Sequence, residues 1–175
     1  MRAAGWRPLQ YVNAGRSGAY VYDSVPGVPG TGIDHLIPTS AKTLGEAVAA
    51  VLMNWGANDY QLWPLNPVEW VSDYMEIINY CHALWPTAVI YISYPWRADY
   101  DAEFATMYGY VDTVIATAVA AGIDCRPAVD EGVTIKDGDD GYLETDASEG
   151  GVGVHYSDPY GVGLYADAMQ LVLGY

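Results

Sequence analysis

The chain has 175 residues, 51% of them hydrophobic, which is enough for one domain with a real core. Its 22 Asp and Glu against 7 Lys and Arg leave a formal charge of −15, so the surface repels phosphate backbones and nucleic acid is not an expected partner. There is no run of about eighteen uncharged apolar residues, and residues 1–20 lack the basic, apolar and small-residue regions of a signal peptide, so no membrane span and no targeting segment is expected. An acidic surface with so few lysines stays hydrated in salty or extracellular settings, and it favours secretion without specifying a compartment.

In chain order, the first strand candidate is Leu9 to Ala14, which runs into a Gly15-Arg16-Ser17-Gly18 turn. The Pro and Gly content of Val25 to Gly32 makes that stretch a loop, and Ile33 to Glu46 is weakly helical with Pro38 interrupting it. Ala47 to Asn54 is a continuous apolar run of strand length, the pattern of a strand covered on both faces. Asn66, followed by Pro67 and by Glu69 at the third helical position, predicts a capped helix ending near Trp85 and Pro86, with Val68, Val71, Met75 and Ile78 as its inward stripe. Ala88 to Tyr94 reads as a strand. Asp101 to Ala121 reads as a helix with Phe104, Tyr108, Val111, Ile115 and Ala118 on one face, closed by Gly122. Ile123 to Val129 is a short strand, Val133 to Gly151 a polar loop, and Asp158 to Leu173 a last helix with Leu164, Ala168 and Leu171 inward. Strands alternating with helices in this way predict an α/β fold on a parallel sheet, with function gathered at the carboxyl ends of the strands.

Sixteen Tyr and six Trp stand against a single Phe. Rings with a polar tip suit either a wet-rimmed core or a carbohydrate or protein contact face. Cys81 and Cys125 lack any CxxC spacing and read as small buried apolar residues. No metal or cofactor site is expected. The acidic stretch Asp137, Asp139, Asp140, Glu144 and Asp146 places Gly141 and Tyr142 where a calcium loop needs a ligand and its turn glycine, so it reads as a solvated loop.

Three segments carry a more specific pattern: YVNAGRSGA at Tyr11 to Ala19, NWGANDY at Asn54 to Tyr60, and GVHYSDPYGVGLYADAM at Gly153 to Met169. In this order and spacing they resemble the second, third and histidine-bearing blocks of the SGNH (GDSL) hydrolase family, and Ile92 to Phe104 is similar to the intervening strand and helix. The resemblance implies a three-layer α/β sandwich with a parallel, flavodoxin-like sheet, formed by one domain spanning residues 1–175. It also implies hydrolysis of acyl or acetyl esters, with a small-molecule or carbohydrate ester as substrate. By resemblance the Gly18 backbone N–H and the Asn58 side-chain amide form the oxyanion hole, and His155 is the general base. Asp59 is expected to bond loop backbone and fix Asn58. His35 and His82 read as surface or packing residues.

The sequence departs from the family in two places. Val152 stands where the family has an aspartate three residues before the histidine, with Asp146 and Glu149 as substitutes and a dyad without an acid as the other arrangement. The Gly-Asp-Ser block of the first strand is absent; Ser17 stands where many members of the family carry a serine beside their true nucleophile, and Ser24, Ser40, Ser72, Ser93, Ser148 and Ser157 do not lie in the strand-to-helix turn a nucleophile needs. In the family that strand lies inside the sheet, between Leu9–Ala14 and Ala47–Asn54. Its place is expected to be filled by a segment of a longer chain, by a second polypeptide or symmetry mate, or by an altered sheet order. The chain alone is therefore expected to be inactive. A binding or structural module that keeps the fold without catalysis, as in a surface or virion assembly, is the alternative reading.

Overall fold

A computed structural model describes residues 13–16, 18–62, 64–96, 101–131, 167 and 170–172. After a short 3-10 turn at Tyr22–Ser24, two single-turn helices follow, α1 (Ile33–Leu36) and α2 (Thr39–Lys42), separated at Pro38 as the proline requires. Then come β1 (Ala50–Met53), α3 (Pro67–Leu84), β2 (Val89–Tyr94), α4 (Asp101–Ala120) and β3 (Cys125–Asp130). Among the described residues the three strands form one all-parallel sheet in the order β1, β2, β3, which makes the fold α/β. Ala50 lies opposite Val89 and Met53 opposite Ile92, while Ile90 lies opposite Cys125.

Ile90, Tyr91, Ile92 and Ser93 are all buried in β2, so both faces of the sheet are covered at its middle strand. Pro127 sits inside β3 and cannot donate to a ladder. It is tolerated because β3 is an edge strand among the described residues, and the register slips between Ile92 and Tyr94 beside it. β1 is shorter than the apolar run that suggests it, because Gly45–Ala47 close a 3-10 turn with the Ala47 N–H on the Leu44 carbonyl. β3 likewise starts only at Cys125, since the Ile123 N–H is committed to the Ala118 carbonyl at the end of α4. Of the first strand candidate, residues 9–12 lie outside the described residues. Asn13 and Ala14 are not strand, and the Asn13 side chain instead accepts the Gly15 N–H at 2.8 Å in a local turn.

The predicted cap of α3 is present: Asn66 Oδ1 accepts the Val68 and Glu69 N–H groups at 3.2 and 3.4 Å, with Pro67 in the first turn. Of the expected inward stripe, Met75 and Ile78 are buried and Val71 is half-buried against the core, but Val68 is 78% exposed; Trp70, Tyr74, Ile77 and Cys81 are the other buried positions. At 3.6 residues per turn Val68 lies roughly 160° from Trp70, so once the two aromatic residues turn inward the valine must face solvent. α4 buries Phe104, Met107, Val111, Val114 and Ala118, the spacing of one helical face, with Tyr108 and Ile115 half-buried at its margins. The two long helices pack on each other, with the Trp70 and Tyr110 rings 6.2 Å apart. Among the described residues no helix is long and apolar enough to cross a membrane. Of the last predicted helix, Asp167 and residues 170–172 are helical. Leu171 is 78% exposed rather than inward, and Leu164 and Ala168 lie outside the described residues.

One glycine holds the exit of β1. Gly56 has φ +121, and a Cβ there would come within 2.7 Å of Pro95 Cγ and 2.8 Å of Met107 Sδ. Strained backbone and a collision inside a packed wall each cost about 1–3 kcal/mol. Gly56→Ala is therefore expected to lower stability by about 2–3 kcal/mol in urea unfolding followed by circular dichroism, and a loss below about 0.5 kcal/mol would contradict the packing described.

Candidate functional site

The carboxyl ends of the strands come together through a few side-chain bonds. Glu131, immediately after β3 and 2% exposed, accepts the Asn54 side-chain N–H on Oε1 at 2.7 Å and the Trp96 backbone N–H on Oε2 at 3.1 Å. Asn54 follows β1 and Trp96 follows β2, so one buried carboxylate ties together the exits of all three strands. Sequence reasoning did not single out Glu131. Its position, directly after an apolar strand of a parallel sheet, was the available signal.

From Asn54 the chain passes Trp55 and Gly56 into a turn closed by the Asp59 N–H on the Gly56 carbonyl and the Gln61 N–H on the Asn58 carbonyl. This turn docks on the segment that begins at Gly18. Asn58 Nδ2 donates to the Ala19 carbonyl at 3.3 Å, the Tyr20 hydroxyl donates to Gln61 Oε1 at 2.5 Å, and the Val21 N–H donates to Asp59 Oδ1 at 3.1 Å. Gly18 is exposed with φ +73, and no atom of the described residues lies within 4 Å of where a Cβ would be. The left-handed backbone of the turn accounts for the glycine there. The structure thus sets the turn of Gly18 beside the side chain of Asn58. His155, Val152, Asp146, Glu149 and the acidic stretch 137–146 lie outside the described residues, as do Ser17, Ser148 and Ser157.

Asp59 bonds loop backbone as expected, and more besides. It is 1% exposed, and its Oδ1 accepts the Trp70 indole N–H at 3.0 Å as well as the Val21 N–H, so it joins the Asn58 turn to α3. Burial pushes its carboxyl up to about 6, against the pull of those two hydrogen bonds.

Other candidate nucleophiles among the described residues are committed elsewhere. Ser24 Oγ accepts the Trp55 indole N–H at 2.9 Å and donates to the Tyr20 carbonyl at 2.7 Å. Ser40 and Ser72 lie in α2 and α3, and Ser93 is buried within β2. Cys81 and Cys125 are free and buried, and burial pushes their thiols up to about 12 and about 11, so neither supplies a thiolate near neutral pH. His35 is exposed beside Asp34, and His82 is half-buried on α3. Among the described residues no group of three His, Cys, Asp or Glu side chains is placed to hold a metal ion.

The fold and the site define an α/β chain with a polar constellation at the carboxyl edge of a parallel sheet. No family model, curated protein or solved structure matches the chain.

Proposed function

We propose that the chain is most of an SGNH-type ester hydrolase domain, a three-layer flavodoxin-like α/β sandwich, acting on acyl or acetyl esters with a nucleophile supplied by a segment outside this sequence. The observation that carries the reading is the Asn58 side-chain amide at the exit of β1, bonded to Ala19 beside the exposed, left-handed Gly18. A primary amide has two N–H donors. The one engaged by Ala19 orients the group, and the second is available to the oxygen that becomes negative in the tetrahedral intermediate. Gly18 supplies a backbone donor, His155 takes the proton of the attacking hydroxyl, and Asp59 holds the Asn58 turn against α3.

The slot for a nucleophile strand has support in the sheet. β1 pairs only with β2 among the described residues, and Leu52 within it is 46% exposed. An apolar edge of this kind is a template for one more strand. Val152 in place of the aspartate favours a second reading, a binding module that keeps the fold without turnover.

One experiment separates the two readings. Release of p-nitrophenol from its acetate is measured for the chain alone, for a fusion preceded by a Gly-Asp-Ser strand and helix, and for that fusion with His155→Ala. The expected result is no saturable turnover by the chain, saturable turnover by the fusion, and its loss with His155→Ala. A folded fusion that stays silent supports the non-catalytic module. Saturable turnover by the chain alone would put the nucleophile within this sequence, with Ser17 the first to test.

A further inference from the structure

Glu131 carries a buried carboxyl group to which the ester hydrolase reading gives no part. A polar group this far from water is kept only where hydrogen bonds replace its solvent. Two of the bonds it accepts come from different strands: Asn54 Nδ2 reaches Oε1 at 2.7 Å, and the Trp96 N–H reaches Oε2 at 3.1 Å.

These two bonds converge on one turn. Asn54 stands two residues before Gly56, so holding its side chain fixes the chain as it enters that glycine. Trp96 follows Pro95, whose ring packs so closely on Gly56 that a Cβ there would meet Pro95 Cγ at 2.7 Å. Holding the Trp96 N–H therefore holds Pro95 against the same glycine. The Gly56 carbonyl accepts the Asp59 N–H at 3.1 Å, which closes the turn that carries Asn58. At its far end the turn is held by the Val21 N–H and the Trp70 indole on Asp59. The Asn58 side chain thus projects from a segment gripped on the sheet side by Glu131 and on the α3 side by Asp59.

We infer that Glu131 is a positioning residue for the Asn58 amide: through Asn54 and Trp96 it fixes the Gly56 turn, and the turn sets the direction in which the amide points. It acts through the turn and not on substrate. The inference rests on the oxyanion role proposed above for Asn58. Such a donor is effective only when it is held in place before charge develops, and a displacement of about 1 Å costs about 10²-fold in rate.

The test begins with the chain as it is. Glu131→Gln keeps the size of the side chain but has one acceptor oxygen, so it serves Asn54 or Trp96 and not both. Asn54→Ala removes the first bond at an exposed position, and decides the matter if Glu131→Gln fails to fold. The readout is hydrogen exchange of the Asn58 side-chain proton that donates to the Ala19 carbonyl. In each folded variant it should exchange about tenfold faster than in the wild type, with the exchange of α3 and α4 amides unchanged. The second arm uses the fusion that restores a Gly-Asp-Ser strand. There Glu131→Gln should lower kcat about tenfold with KM changed less than about twofold, and should have almost no further effect on kcat when Asn58→Ala is already present. Wild-type exchange at Asn58 in either folded variant, loss of protection spread evenly through α3 and α4, or a Glu131→Gln effect that persists in full beside Asn58→Ala would overturn the inference. A silent fusion counts against the hydrolase reading instead, and the exchange measurement then decides whether Glu131 positions the amide.

Discussion

In the fusion that restores a Gly-Asp-Ser strand, Asn58→Ala is expected to lower kcat by about 10²–10³-fold while KM changes little, the loss measured when one oxyanion donor is removed. The reason lies in when the amide acts. A neutral carbonyl oxygen in the bound ester gains little from a second donor, whereas the oxyanion of the tetrahedral intermediate gains several kcal/mol in a site that excludes water. The amide is held in place beforehand by the Ala19 carbonyl at 3.3 Å and by Asp59 next to it in the chain, so it needs no reorganisation as charge develops. Truncation also removes the bond to Ala19, worth about 1 kcal/mol of stability. The variant should therefore melt slightly earlier but remain folded at assay temperature. The check is steady-state hydrolysis of p-nitrophenyl acetate alongside thermal unfolding. An unchanged kcat in a folded variant would remove Asn58 from the oxyanion site.

The second large effect concerns pH and Asp59. Its carboxyl is raised from 3.8 to about 6 by burial. The folded state therefore holds the proton more tightly than the unfolded chain, and ionising the group costs folding free energy. That cost is fully present above about pH 6, roughly 3 kcal/mol for a shift of about two units, and is relieved as the pH falls from about 6 to about 4. Other carboxylates in so acidic a chain titrate in the same range, so the comparison must be against Asp59→Asn, which keeps an acceptor for the Val21 and Trp70 donors and does not titrate. The stability of the wild type relative to this variant should rise by roughly 3 kcal/mol between pH 7 and pH 4, read from urea midpoints at each pH. A difference that stays flat over that interval would show that the Asp59 carboxyl titrates as an ordinary surface acid.

Several elements were legible without tertiary information. The cap at Asn66 with Pro67 and Glu69 specified where α3 begins, and the Phe104, Val111 and Ala118 spacing specified the buried face of α4. The β-branched run before Tyr94 specified β2. These signals are local: a cap bonds residues two and three positions away, and a helical face repeats every three to four. The α3 stripe was misjudged at its first position because Val68 and Trp70 both suit a core by composition. Only packing against Tyr110 and the Asp59 carboxylate selects the indole. Within the candidate site, Gly18 and Asn58 were visible in short motifs, and Glu131 was not, because a glutamate after a strand looks the same whether it is solvated or buried.

The sequence by itself determined the α/β class, the long elements and the turn that carries Asn58, since each follows from residues within a few positions of one another. Only the tertiary structure decided what the carboxylates do. Asp59 meets Val21 across 38 residues and Glu131 meets Asn54 across 77, and those meetings depend on parallel strand register and on how each crossover helix brings the chain back to the same edge of the sheet.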